Sequence, residues 1–357
     1  MADLSVELCG IDLPNPLVLA SGPLSWCAEA IRSAFDAGAA AVVTKAIRPD
    51  PPVNPVPHMA QAGPRSLLNT EGWSDLPARQ WIEEELPSLA DRNGVVIAST
   101  GHTPSEVERL AGPLTETGVD LLELVSYEEK DAAPMVEAAK GKTAVPVLVK
   151  VSANWPNLER VIAACLEAGA DGVTAIDSVG PALKIDVETG RPVLGAFAWL
   201  SGEAIRPLAL RAVAAICLRH DVPVVGTGGV ARAEDVVEMA MAGATAIGVH
   251  TAPLLRGPAW FGKTLRQLES WLDERGYDRL SDLRGEALPY LRQPPYVLSL
   301  TFVFDRERCT RCERCVTVCA YGARELTPEG RMRLDDDRCR SCGLCASVCP
   351  TEALRSS

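Results

Sequence analysis

The sequence predicts an α/β fold: a (β/α)8 TIM barrel followed by a small domain organised around cysteines. Three observations carry this. Short apolar runs of strand character alternate with longer segments of helical period between residues 15 and 250. Near-continuous apolar strands of that kind imply a parallel sheet covered by helices. No G-x-G-x-x-G turn follows a strand, so an open dinucleotide-binding sheet fits poorly, and eight units over about 250 residues suit a closed barrel. Finally, eight of the 12 cysteines fall at the C-terminal end of the chain.

In chain order the expected strands are Leu17–Ala20, Ala41–Lys45, Val95–Ser99, Leu121–Ser126, Val147–Val151, Gly172–Ile176, Val224–Gly226 and Ala246–Val249. Helical stretches between them include Ala28–Ala37, Pro104–Glu116, Pro156–Ala168, Ile205–Arg219 and Ala233–Ala242. Gly38, Gly118, Gly169 and Gly243 follow helical stretches, where glycine relieves the left-handed closing turn. Residues 46–94 leave the C-terminal end of the second strand and are rich in Pro, Asn and His. Position and composition make them an active-site loop or lid. Residues 255–300 read as helix and then a Pro-rich connection, Gln293–Pro295. The expected domains are therefore a barrel over 1–300 and a tail over 301–357.

The tail carries the sharpest signal. Cys309, Cys312, Cys315 and Cys319 form a C-x2-C-x2-C-x3-C run, and Cys339, Cys342, Cys345 and Cys349 repeat it. This is the bacterial-ferredoxin pattern for two [4Fe–4S] clusters, in which each fourth cysteine crosses to the other cluster. One cluster would take Cys309, Cys312, Cys315 and Cys349. Its twin would take Cys339, Cys342, Cys345 and Cys319. Pro350 follows the last cysteine as the pattern expects, whereas Ala320 stands in the matching place of the first run. A disulfide framework or paired zinc sites are the alternatives, and two full copies of the run disfavour both. Cys9, Cys27, Cys165 and Cys217 share no ligand spacing and read as small buried hydrophobes.

Bulk properties narrow the class further. The chain has 357 residues, enough for a large domain and a small one, and 47% are hydrophobic, as in a globular protein. No run of apolar residues is long enough to span a bilayer. The opening MADLSVELCG lacks the basic and apolar regions of a signal peptide. Thiolate-held clusters need a reducing compartment, so a cytoplasmic location is expected. A net charge of −12 argues against a nucleic-acid backbone as partner. No membrane is expected as partner either.

Chemistry in such a barrel belongs at the C-terminal strand ends. Lys45 and Lys150 each end an apolar strand, where a buried ammonium is costly without an anion or an electron-rich ligand. Gly228-Gly229 and His250-Thr251 follow the seventh and eighth strands, the usual phosphate site of this fold. The glycines alone would also suit a plain tight turn. A phosphate-bearing cofactor upstream of clusters is most useful if it splits electron pairs into single electrons, which a flavin does.

The segments LSVELCGIDLPNPLVLASGP, AVVTKAI, LVKVSAN, DGVTAIDSV, SGEAIRPLALRAV, PVVGTGGV and AGATAIGVHTA together resemble the FMN-dependent dihydroorotate dehydrogenase superfamily. They look closest to the dihydropyrimidine dehydrogenase type, in which a ferredoxin-like tail follows the barrel. The resemblance covers nearly the whole chain. It implies FMN and two [4Fe–4S] clusters as cofactors. Ala20, Ser21 and Gly22 would then lie against the flavin ring, with Lys45 near its N1–C2 edge and Lys150 reaching ring and ribityl. Gly202, Gly228, Gly229, His250 and Thr251 would cradle the phosphate. Asn69 matches a substrate-binding asparagine, and Asp177 and Ser178 stand where the family has an Asn-Thr pair.

Two departures weigh on substrate identity. The family's fourth strand ends in an Asn-x-Ser-Cys-Pro-Asn-like run, but this chain reads GVDLLELVSYEEKD. Ser126, Tyr127 and Glu128 are the candidate replacements for the proton-transfer residue, or none of them acts so. Asp177 accepts hydrogen bonds where an asparagine would also donate, so it calls for N–H groups or positive charge on the substrate. His58 and His102 are further candidates on loops at the active-site face. Trp26, Trp73, Trp81 and Trp199 could wall a pocket, with packing the commoner role.

The reading is an FMN- and iron–sulfur-dependent oxidoreductase of a CH–CH/C=C bond in a small cyclic, pyrimidine-like substrate. The expected redox partner is an NAD(P)H-oxidising flavoprotein subunit or a ferredoxin, in a homodimer or hetero-oligomer. Arg308, Arg311 and Arg314 offer a docking face, or simply solvated surface. Alternatives are an enzyme of a different unsaturated or N–H-bearing metabolite, a non-catalytic electron-transfer subunit, or a relative of the tRNA dihydrouridine synthases. Acidity and the lack of a basic helical domain disfavour the last.

Overall fold

The computed structural model describes residues 2–291 and 300–356, so the expected connection at Gln293–Pro295 lies outside the described residues. The chain divides into two compact units, Met1–Tyr290 and Leu291–Ser357.

The first unit is a closed eight-stranded parallel barrel. Its strands, numbered in chain order, are β1 (Leu17–Leu19), β2 (Ala41–Val43), β3 (Val95–Gly101), β4 (Leu121–Val125), β5 (Val147–Val151), β6 (Gly172–Ala175), β7 (Val224–Thr227) and β8 (Ala246–Val249). Each pairs with the next, and β8 closes onto β1 with Ile247 opposite Leu17. All eight expected strands are present. Their residues are almost wholly buried because helices cover the outer face and side chains fill the interior. Helices Ala28–Asp36, Pro104–Glu116, Ala132–Lys140, Leu158–Glu167, Arg206–Cys217 and Ala233–Met241 turn their apolar residues onto the strands. Thr103 caps the second of these through its side chain, accepting from the Glu106 amide.

Opposite the catalytic end, an antiparallel hairpin of Val6–Leu8 and Ile11–Leu13 plugs the barrel. Its Leu8 and Leu13 pack with Val18, Ala41, Ile97 and Leu121. The opening segment thus contributes a plug as well as β1.

Residues 46–94 differ from a plain loop. They hold the hairpin Met59–Gly63/Ser66–Asn69 and a helical segment from Ala78 to Ser88. The hairpin joins Val179–Ala182 and Ala198–Gly202, from the excursion after β6, in a four-stranded antiparallel sheet. Trp199 lies opposite Asn69 and Gly202 opposite Ser66. Buried Trp81 anchors the helical segment by donating to Ser74 Oγ at 2.7 Å.

The second unit contains two antiparallel strand pairs, Phe302–Phe304 with Leu354–Ser356 and Arg324–Leu326 with Met332–Leu334. Short helices at Arg314–Thr317 and Leu344–Ser347 sit at matching places in its two halves. Among the described residues no helix is long and apolar enough to cross a membrane.

Candidate active site and cysteine-lined cavities

A cavity of about 430 Å³ opens at the C-terminal ends of the barrel strands, bordered by the four-stranded sheet. Parallel strands deliver all their C-terminal ends to one face, so residues distant in sequence converge there. Ala20, Ser21 and Gly22 after β1, Lys45 after β2, Lys150 on β5, and Asp177 and Ser178 after β6 all line it. So do Asn69, Gly202, Gly228, Gly229, His250 and Thr251. A Cβ on Gly22 would collide with the His250 imidazole, so glycine is what lets these two strand ends meet.

Both lysines are buried and paired. Lys45 Nζ lies 2.8 Å from Glu71 Oε1 and 2.6 Å from Asp75 Oδ2. Those carboxylates come from the segment after β2, and Asn54 braces them, donating to Asp75 Oδ1 and accepting from the Gly72 amide. Lys150 Nζ lies 3.4 Å from Asp177 Oδ1. Glu123, on the interior face of β4, accepts from Thr174 Oγ1 at 2.8 Å and Ser99 Oγ at 3.4 Å. Burial opposes charge on Lys150, but Asp177 and Glu123 outweigh it and hold its pKa above the ordinary value. Burial raises the Glu123 pKa against the pull of Lys150 and Thr174. A charged residue inside the apolar run LLELV was a legible signal for Glu123. Glu71 and Asp75 had none, because their partner is reached only through the fold.

The two cavity histidines are held neutral. Burial, with Lys150 and Lys45 nearby, pushes His250 down to about 4, and its Nε2 accepts from the Leu24 amide at 3.4 Å. Burial and Arg48 push His102 down to about 4 as well, and among the described residues its buried Nδ1 has no partner. His58 does not line the cavity; its Nδ1 sits 3.1 Å from the Pro55 carbonyl.

The altered fourth-strand loop resolves into three different environments. Tyr127 lines the cavity, between His102 at 4.5 Å and Trp199 at 5.7 Å between ring centroids. Trp73 extends this wall, in a T-shaped contact with His102 and with the Arg48 guanidinium carbon 4.0 Å from its ring centre. Ser126 and Glu128 are corrections to the expected site. The Ser126 hydroxyl is buried among the carbonyls of His102 and Glu128 and the Glu128 amide, where it shapes the turn. The exposed Glu128 caps the next turn, and neither residue borders the cavity. Trp26 and Trp81 also stay outside it, one exposed and one in the core.

The end of the cavity at β7 has the features of an anion cradle. No acceptor engages the amides of Gly228, Gly229 and Val230 among the described residues, and such amides attract oxyanions. Gly229 has φ 83°, and a Cβ there would meet the Arg206 backbone. Arg206 in turn pairs with Asp235 and Glu238, both at 3.0 Å, and Asp235 accepts from the Ala231 amide. The turn is therefore propped from behind.

In the second unit the cysteines ring two small cavities. Cys309, Cys312, Cys315 and Cys349 line one; Cys319, Cys339, Cys342 and Cys345 line the other. Among the described residues no three such ligands converge on a single metal ion; the thiols are spread around each space instead. Backbone amides of Arg311, Ser341, Ala323 and Leu354 donate to Cys309, Cys339, Cys319 and Cys349 at 3.3–3.4 Å. Such N–H···S contacts suit thiolates that carry negative charge. Although burial opposes it, amide donors and the Arg324 guanidinium hold the Cys319 thiol below its usual pKa.

Comparison with known proteins gives two family matches: a dihydroorotate dehydrogenase model over residues 3–272 and a 4Fe-4S dicluster domain over residues 304–353. The catalytic subunit of dihydroorotate dehydrogenase B (NAD(+)) from Methanothermobacter thermautotrophicus is 34% identical over 303 residues, 80% of this chain and 98% of the relative. Its counterpart from Pyrococcus abyssi is 34% identical, covering 80% of this chain and 99% of that protein. The Pelobacter propionicus subunit is 33% identical over 79% of this chain and 98% of its own length. About a fifth of this chain lies outside each of these alignments.

Proposed function

The chain belongs to the dihydroorotate dehydrogenase family, and from that premise we propose that it is an FMN- and iron–sulfur-dependent oxidoreductase. Its substrate is a small cyclic, pyrimidine-like compound, changed at a CH–CH/C=C bond. The observation that carries the reading is a single cavity with unengaged Gly228–Val230 amides at one end and two buried lysines facing it. That donor set fits a phosphate at one end and an electron-rich ring at the other.

FMN, held by the residues named above, would accept an electron pair and release it singly. Lys150 and Lys45 stabilise negative charge that builds on the ring edge, and their cost of burial is already met by Asp177, Glu71 and Asp75. Tyr127 is the one residue of the altered loop placed to exchange a proton in the cavity. Burial and then Asp177 raise its pKa, so it is a phenol at neutral pH and can donate. Asn69 and Asp177 orient the substrate ring. The eight cysteines of the two runs would hold two clusters, which would supply a path for single electrons to a separate partner that handles the nicotinamide; the relatives' description as catalytic subunits supports such a partner.

Asp177 favours a second substrate class: an N–H-bearing metabolite other than a common pyrimidine. One experiment separates the two. The reconstituted protein is photoreduced anaerobically, and uracil, thymine and orotate are added separately. Rapid reoxidation at the flavin band by one of them supports the pyrimidine reading. A flavin that stays reduced with all three leaves flavin chemistry standing and removes these substrates.

A further inference from the structure

The two halves of the cysteine unit repeat at an offset of 30 residues, which places Cys319 opposite Cys349, Ala323 opposite Ala353, and Arg324 opposite Leu354. Both members of the last pair are buried, Arg324 at 6% exposure and Leu354 at 2%. Each lines the cavity of its own half: Arg324 the one with Cys319, Cys339, Cys342 and Cys345, Leu354 the one with Cys309, Cys312, Cys315 and Cys349. At this position the repeat therefore holds a guanidinium in one cavity wall and a hydrocarbon in the other; Arg340 also borders the first cavity, while the second has Arg314 together with the carboxylate of Glu313.

Among the described residues that guanidinium pairs with no carboxylate. Its Nε and one Nη are buried without a hydrogen-bond partner. The nearby Glu325 is turned to the other face of the strand, where it pairs with Arg333 at 3.8 Å between exposed side chains. The Phe302 ring, 4.1 Å from the guanidinium carbon, softens the cost without neutralising the charge. A buried guanidinium is strongly unfavourable unless a negative group lies beside it. Among the described residues its cavity wall holds no Asp or Glu, which leaves the four cysteines and what they would hold as the source of negative charge.

We propose that Arg324 is a built-in counter-cation for the cluster of Cys319, Cys339, Cys342 and Cys345, giving that cluster the higher reduction potential of the pair. The inference rests on the reading that the two runs hold two clusters. A fixed positive charge favours the added electron on its own side. One electron then leaves the Leu354 side, which is oxidised, for the Arg324 side, which is reduced; no proton or outside reactant takes part. Arg324 is a tuning residue, since it ligates no iron. Electrons entering the tail would collect on the Arg324 side before leaving the protein.

The test is a potentiometric titration of the reconstituted full chain, followed by electron paramagnetic resonance, with iron counted beforehand. Wild type should bind about eight irons per chain and show two separated midpoints. Arg324→Leu, which copies the twin, should lower the higher midpoint by at least a tenfold change in electron partition, about 59 mV for one electron. Arg324→Lys should hold it near the wild-type value at every pH used. Full iron content in Arg324→Leu with both midpoints unmoved overturns the inference and leaves the two-cluster reading intact. Iron well below eight in wild type overturns both. Should Arg324→Leu lose one cluster, restored iron and midpoint in Arg324→Lys support the charge role, and failure of that variant too overturns it.

Discussion

Lys45 is the residue on which the cavity's charge balance turns. Its ammonium sits between Glu71 and Asp75, so removing it leaves two carboxylates without the charge that holds them together. Lys45→Ala should weaken FMN binding at least tenfold and slow its reduction severely; equilibrium dialysis and stopped-flow absorbance read the two effects separately. Full flavin content with normal reduction would remove Lys45 from the site. His102 allows a pH prediction. Its pKa falls from an ordinary 6.5 to about 4 in the folded protein. Between those values the unfolded chain binds a proton that the native state refuses, so stability declines as pH falls from about 6.5 to 4. For this residue the loss is on the order of 2–3 kcal/mol. Urea unfolding at pH 7 and pH 5 should show it, and His102→Asn should shrink the difference without abolishing it, since His250 is pushed down to about 4 as well. At this scale the sequence made the lysines legible, because a charge ending an apolar strand stands out. It did not separate Tyr127 from Ser126 and Glu128, because which of three adjacent side chains faces a cavity depends on how the strand leaves the barrel.

The elements divide by the range of the interactions that form them. The eight barrel strands were readable because each is a local apolar run, most are followed by helical period, and four of the helical stretches close on a glycine, Gly38, Gly118, Gly169 and Gly243. The four-stranded sheet beside the cavity was not. Its strand MAQAG lacks apolar alternation, and it pairs segments from two excursions far apart in the chain, Trp199 with Asn69. Gly202 shows what that sheet does. It ends the strand Ala198–Gly202 at φ 89°, and a Cβ there would strike the Arg65 backbone. Gly202→Ala should therefore destabilise the barrel unit by about 1–3 kcal/mol. It should also loosen FMN more than it affects substrate affinity, since the strain falls at the phosphate end. Thermal unfolding with and without FMN checks this: a melting temperature unchanged in both states would mean that the junction tolerates the side chain.

For the whole molecule the question is how far the two units act as separate machines. Every residue placed around the barrel cavity belongs to Met1–Tyr290, and every cysteine of the two runs to Leu291–Ser357. The relatives cover nearly their full lengths with four-fifths of this chain, and the dihydroorotate dehydrogenase match ends at residue 272, so on the proposed reading the substrate half of the reaction needs no cysteine tail. The tail then governs only where electrons go next. Cys349 offers the test, since it closes the ring of Cys309, Cys312 and Cys315 from the far end of the sequence. Cys349→Ser should leave substrate-dependent flavin reduction within about twofold of wild type, as no transition-state contact is lost. Electron delivery to an external one-electron acceptor should fall by at least tenfold. Anaerobic stopped-flow at the flavin band measures the first rate and acceptor bleaching the second. Equal losses in both would mean that the tail shapes the barrel's chemistry, and the division into a substrate unit and an electron outlet would have to be given up. Loss of the second rate alone would place the outlet in the cysteine runs, whatever ring the cavity accepts.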